Sequence, residues 1–190
     1  VNPAAATTSV TDTIDTTTLS LSGSATVVEG AAGSYTVSLT SPAQTAVTVN
    51  LTYSGTAADG SDYTGVASVL IPAGASSASF NVATLQDVIG EGAENFTVTI
   101  ASAAGGNFES LVISGTNGAQ TTSVTDDDTP TIAVSSPTVG EGGFAVFTVS
   151  LSNASASAVT FNPTLASGTA TVGTDTSTAL EYFNGSSWVA

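Results

Sequence analysis

The 190-residue chain has no lysine, arginine, histidine, cysteine or methionine. Without a basic side chain it cannot neutralise phosphates, and the electrostatic contribution that dominates nucleic-acid affinity has the wrong sign, so nucleic acid is excluded as a partner. The same gap removes most catalytic apparatus: there is no His or Lys base, no Cys nucleophile, and no Arg or Lys to hold an oxyanion or phosphate. Only carboxylates, hydroxyls and amides remain, and the chain does not read as an enzyme. The absence of cysteine neither requires nor forbids an oxidising compartment. No apolar run approaches the ~18 residues of a membrane-spanning helix, so no membrane insertion is expected. The start at Val1 shows no charged and apolar leader, and the chain is expected to be a fragment of a longer one.

What is present is acid and β-branched residues. Asp and Glu number 15, for a formal charge of −15, while hydrophobic residues make up 41% of the chain, spread in short Val, Ile, Leu and Phe groups. Their alternation with Thr and Ser argues for packed β-structure and against low-hydrophobicity disorder. Carboxylates with no side-chain cation to oppose them must be relieved by mobile counterions or by bound metal. A set of ligands restricted to oxygen favours the hard cations Ca²⁺ and Mg²⁺ over zinc or copper.

The sequence repeats itself. Thr7-Thr8-Ser9-Val10-Thr11-Asp12 recurs as Thr121-Thr122-Ser123-Val124-Thr125-Asp126, an offset of 114 residues. Val28-Glu29-Gly30 with Tyr35-Thr36-Val37-Ser38-Leu39 is answered by Gly140-Glu141-Gly142 with Phe147-Thr148-Val149-Ser150-Leu151 at 112. Gly55-Thr56-Ala57 with Asp62 is answered by Gly168-Thr169-Ala170 with Asp175 at 113. The chain then divides into the end of a preceding module or linker (residues 1–15), a complete module (16–128) and the first half of a second (129–190).

Period-two alternation in the complete module predicts seven strands, near residues 24–28, 34–40, 46–53, 67–72, 78–85, 95–101 and 119–125. Seven short strands separated by Gly, Pro, Ser and Asn turns read as an immunoglobulin-like antiparallel β-sandwich. If they run alternately up and down, the connections after strands one, three and five and the end of strand seven share one pole. That pole holds Glu29, Asp59, Asp62, Asp87, Glu91, Glu94, Asp126, Asp127 and Asp128, whereas the opposite connections hold no acid except Glu109 at their margin. Close carboxylate pairs repel by about 1 kcal/mol in water and about 4 at an effective dielectric near 20. Ca²⁺, with six to eight oxygens in a flexible shell, suits such a cluster better than Mg²⁺. The stretch from Ala101 to Gln120 is long enough to hide an extra hairpin at Glu109 to Ser114; an even number of added strands leaves the poles as assigned, and an odd number does not.

The elements Val28-Glu29-Gly30, Gly55-Thr56-Ala57 through Asp62-Tyr63, Ile71-Pro72-Ala73-Gly74, Asp87 with Glu91, Glu94-Asn95-Phe96, and Asp126-Asp127-Asp128 together resemble a Calx-β domain. The resemblance implies a seven-stranded sandwich with Ca²⁺ at one pole, held by Glu29, Asp62, Asp87, Glu91, Glu94, Asp126, Asp127 and Asp128. Asp59 has no firm counterpart, and Gln86 stands where a second acid would often precede Asp87. Tandem modules rich in Thr, Ser, Ala and Gly also resemble the extender repeats of repeats-in-toxin (RTX) bacterial adhesins, which implies a calcium-stiffened stalk on the bacterial cell surface, with adjacent modules of the same chain as partners. Asp126-Asp127-Asp128 alone would read as a solvated linker; its companions change that reading.

The second copy keeps Glu141, Gly142 and Asp175 without the acids of its other half. Truncation, an inserted domain, or completion by neighbouring copies of the protein would each account for this; the last would make the chain a filament or surface-layer subunit. Direct gripping of glycan or ice is a third reading, and no Thr-x-Thr array at a short regular period supports ice. Tyr182, Phe183 and Trp188 are expected to pack in a strand core rather than to form a sugar-stacking platform. Glu91 and Glu94 lack the aromatic and basic surroundings a glycosidase needs. Asp12 and Asp15 fall where the acidic pole of a preceding module would end.

Overall fold

The computed structural model describes residues 13–189, so the first copy of the Thr7–Asp12 motif, Asp12 included, lies outside the described residues. The chain falls into two compact units, one running to Ser157 and the other starting at Ala158.

In the first unit, alternation places every second side chain of each long strand inward. Two five-stranded sheets face each other. One has the order β10 (Ser110–Ile113), β1 (Thr16–Gly23), β3 (Ala32–Leu39), β7 (Ser77–Thr84), β5 (Tyr63–Thr64). The other has the order β2 (Thr26–Val28), β11 (Ala119–Thr125), β9 (Glu94–Gly105), β4 (Val47–Gly55), β6 (Ser68–Ile71). Of the strands up to Thr125, the short β8 (Ile89–Gly90) belongs to neither.

Pairing directions reduce these strands to seven passages across the sandwich. β1 pairs parallel with β10, and β2 parallel with β11, while the other pairs within the two sheets are antiparallel. Thus β1 and β2 are one upward run that crosses between sheets at Ser24 and Ala25, and β5 with β6, and β10 with β11, are two more such runs. Between Ala101 and Gln120 lies a single added strand, β10, and not the hairpin suspected there. It leaves the poles unchanged because it runs in the same direction as β11. β1 was not among the expected strands: its inward Thr17, Leu19 and Leu21 are buried, but Thr and Ser on its outer face make it look like linker in sequence. The protein is all-β, with antiparallel immunoglobulin-like sandwich architecture.

The core is aliphatic toward the lower pole and aromatic toward the upper. Leu19, Val37, Val47, Val49, Ile71 and Val98 are fully enclosed. Under the upper pole the ring of Tyr63 stacks on Phe96 at 4.6 Å, with Tyr53 at 5.5 Å from Tyr63. Tyr63 follows Asp62 and Phe96 lies two residues after Glu94, so this stack fixes the strand ends that carry two of the acids. The buried Tyr35 hydroxyl donates to Thr122 Oγ1, which donates in turn to the carbonyl of Ser24 at 2.7 Å. This pins the kink between β1 and β2 to β3 and β11. Tyr35→Phe should cost about 1 kcal/mol, read as a lowered urea midpoint at unchanged slope.

Beyond Thr129 the first module's opening hairpin recurs. β12 (Ile132–Val134) pairs with β13 (Val149–Leu151) so that Ile132 faces Leu151 and Val134 faces Val149, as Leu19 faces Leu39 and Leu21 faces Val37. The end of the hairpin is tied alike: Thr131 N–H donates to Ser152 Oγ at 2.9 Å, as Thr18 N–H donates to Thr40 Oγ1 at 2.9 Å. A short strand β14 (Ala154–Ser155) follows. Ile132, Val134, Val149 and Leu151 are exposed, whereas Leu19, Leu21, Val37 and Leu39 are buried.

The second unit repeats one turn of the first. Thr171 N–H donates to Asp175 Oδ2 at 2.8 Å, as Ala58 N–H donates to Asp62 Oδ2 at 2.6 Å. Its hairpin of β15 (Tyr182–Phe183) and β16 (Trp188–Val189) brings the rings of Phe183 and Trp188 to 5.5 Å. The expected core packing of Tyr182, Phe183 and Trp188 is not found: each is more than half exposed, because among the described residues no second layer covers this hairpin.

Candidate metal centre

Four upper-pole connections supply the acids. The first, after β2, turns on Gly30, whose φ of +72° is left-handed and whose absent Cβ would lie 2.5 Å from Gln86 Oε1. Glycine adopts this φ without strain, and any Cβ there would displace the Gln86 amide. The turn is anchored by Glu29 N–H to the Thr125 carbonyl at 3.0 Å and by Thr84 Oγ1 to the carbonyls of Val28 and Ala31 at 3.0 and 2.8 Å. Glu29 therefore stands beside the end of β11, where Asp126, Asp127 and Asp128 follow.

Two carboxylate groups result. Glu29, Asp126, Asp127 and Asp128 each offer an oxygen within 4.8 Å of the others, and so do Asp62, Glu91 and Glu94. Glu29, Asp126, Asp62, Glu91 and Glu94 line a single concavity, so the two groups adjoin. Asp87, the remaining acid of the expected set, belongs to neither group: its Oδ1 accepts the Ile89 N–H at 2.7 Å, while its own N–H donates to Glu29 Oε1 at 2.9 Å. Asp126 is tied by both oxygens, accepting the N–H of Glu91 at 2.6 Å and of Asp128 at 2.8 Å. Asp59 closes its own turn by accepting the Gly65 N–H at 2.8 Å.

Gln86 plays a part that residue types alone do not disclose. Its Nε2 donates to Asp127 Oδ1 at 3.1 Å and Asp128 Oδ2 at 3.2 Å. In a sequence without a cationic side chain, this amide is a neutral donor set among acids.

The electrostatics match this crowding. Burial, then Asp87, Asp126 and Asp128, raise the Glu29 carboxyl above its ordinary 4.5, although the Asp87 N–H opposes them. Glu91 is raised by burial and by Asp87, Asp62 and Asp126. Glu94 is raised by burial, by the charge of Asp62 and a hydrogen bond to it, and by Glu91 and Glu29. Negative charge here is held at a cost that a cation would reverse. All donors are oxygens, converging from separate loops, which fits the flexible six-to-eight-oxygen shell of Ca²⁺ and offers nothing for a soft metal.

Seven passages of antiparallel sandwich closed at one end by an all-oxygen acidic pole define a β-sandwich module with the fold of a Calx domain and a donor set suited to Ca²⁺. Residues 15–129 match the LapA domain, more than half of the chain, and the protein belongs to that family. Residues 125–182 match the Calx-beta domain. Among solved structures, the apo-form Calx CBD1 domain is similar with TM-score 0.51 and 22% identity over 59% of this chain and 98% of that one. CBD12 from CALX1.2 is similar with TM-score 0.50 and 21% identity over 58% of this chain, which spans 46% of that structure's length. At these identities the likeness is one of fold. No curated protein matches.

Proposed function

We propose that the chain is a calcium-binding structural extender from the stalk of a bacterial surface adhesin of the RTX type, in which Ca²⁺ at the acidic pole stiffens the passage from one module to the next. One observation carries the reading. Two adjoining carboxylate groups occupy one pole, beside the Asp126 to Pro130 linker, in a chain with no lysine, arginine or histidine to neutralise them. Glu29, Asp126, Asp127 and Asp128 would hold one ion or more, and Asp62, Glu91 and Glu94 would hold or share another. Asp87 contributes from the edge. Family membership and the repeated hairpin support a tandem extracellular architecture, and among the described residues no helix is long and apolar enough to cross a membrane.

A second reading rests on a different observation. Phe147, Val149 and Leu151 are exposed where their counterparts Tyr35, Val37 and Leu39 are buried, which favours a filament or surface-layer subunit completed by a neighbouring copy. Small-angle scattering of the full chain separates the two. The stalk reading expects a concentration-independent particle whose maximum dimension contracts and whose distance distribution broadens in chelator. Identical dimensions with and without calcium would refute stiffening, and growth of the particle with protein concentration would favour the filament.

A further inference from the structure

The loop between β7 and β9 carries Asp87 at one end and Glu91 at the other, and its middle is not free. Ile89 and Gly90 pair as a parallel strand with Ala154 and Ser155, and the Ala156 N–H donates to the Gly90 carbonyl at 3.0 Å. Ser152 Oγ donates to Asn153 Oδ1 at 2.6 Å, which leaves Asn153 Nδ2 directed at two carbonyls, Val88 at 3.3 Å and Asp128 at 3.5 Å. Ser152 is itself held by the Thr131 N–H. Gly90 is buried, and a Cβ there would lie 2.4 Å from Pro130 Cδ and 2.7 Å from the Asp128 carbonyl. No side chain fits between the loop and the linker.

Asn153 and Ala154 follow the second hairpin as Ser41 and Pro42 follow the first, in the acid-free connections opposite the acidic pole. One segment therefore touches both ligand-bearing stretches of the preceding pole, the 87–91 loop and the 126–128 run, without contributing a carboxylate.

We propose that the Asn153–Ala156 segment is a clasp that holds the Asp87–Glu91 loop against Asp128 and so sets the affinity of the preceding module's acidic pole for Ca²⁺. The inference rests on the calcium reading above. Asn153 and the Ala156 amide are positioning groups: they orient backbone that orients ligands, as outer-shell partners do at metal sites. Coupling of this kind is reciprocal, so calcium bound at the pole tightens the clasp by the same factor.

The test is isothermal titration of the full chain with calcium chloride, comparing wild type, Asn153→Ala, Ala156→Pro and Ala156→Gly. Ala156→Pro removes the N–H that pairs with Gly90, and Ala156→Gly keeps it. The expected result is roughly tenfold weaker binding in Asn153→Ala and Ala156→Pro, near-native binding in Ala156→Gly, and unchanged stoichiometry. Melting in chelator guards against general unfolding: the first module's midpoint stays within error of wild type in Asn153→Ala even if Ala156→Pro is less well folded. Equal affinity in wild type and Asn153→Ala, with calcium bound by both, would overturn the clasp while leaving the calcium reading intact. Failure of the wild type to bind calcium would overturn both.

Discussion

In millimolar calcium the full chain should unfold at a midpoint about 10 °C higher than in excess chelator. A ligand that binds only the folded state adds about 2.7 kcal/mol at a hundredfold excess over its dissociation constant. For a domain of roughly a hundred residues, each kcal/mol moves the midpoint by about 4 °C or more. One ion accounts for the expected shift, and a second at the Asp62, Glu91 and Glu94 group would enlarge it. The folded pole assembles four connections that the unfolded chain scatters, so the unfolded state offers no comparable site. Magnesium at the same concentration should give a smaller shift, since its rigid octahedral shell fits converging loop carboxylates less well. A scan in which calcium moves nothing would leave the acids as a solvated face and remove the basis of the stiffening.

Glu94→Gln should change stability with opposite sign in the two conditions. In chelator the variant should be more stable than wild type by about 1 kcal/mol, the scale of one relieved close carboxylate pair in a watery setting, because Glu94 is crowded by Asp62, Glu91 and Glu29. In calcium it should bind more than about tenfold less tightly, since losing a ligand costs at least what losing its outer-shell support does, and it should melt below wild type. Paired melts with and without calcium check this; a variant that shifts both in the same direction would show that Glu94 acts through packing alone.

The same logic fixes the pH dependence. The carboxyls of Glu29, Glu91 and Glu94 are all raised above 4.5 in the folded protein. The native state therefore binds more protons than the unfolded state as pH climbs from about 4.5. Stability in chelator falls through that window as these groups are forced to ionise. In calcium the slope reverses, because ligands must be deprotonated to bind and protons compete with the ion.

Much of the fold is legible in the sequence because its signal is local. Tyr35, Val37 and Leu39, or Phe96, Val98 and Ile100, declare an inward face by alternation alone, and seven such segments correspond to seven passages. β1 is missed because Thr17 and its Thr and Ser neighbours blur the contrast on which alternation depends. β10 falls where a hairpin is suspected and proves to be a single strand, because a run that changes sheets midway has no sequence mark of the crossing. The segregation of acids to one pole follows from chain direction, a property that short connections preserve.

Residue type and order thus determined that this protein is an all-β sandwich with an acidic end, no cationic counterweight and an oxygen-only donor set. Tertiary structure alone decided how the acids divide into two groups, why Asp87 stands outside both, and that Gln86 donates between Asp127 and Asp128. It alone brought Asn153 to Val88 and Asp128, 65 and 25 residues away in sequence. The physical reason is range: alternation and charge are written residue by residue, whereas contacts between loops depend on where separate strands end in space.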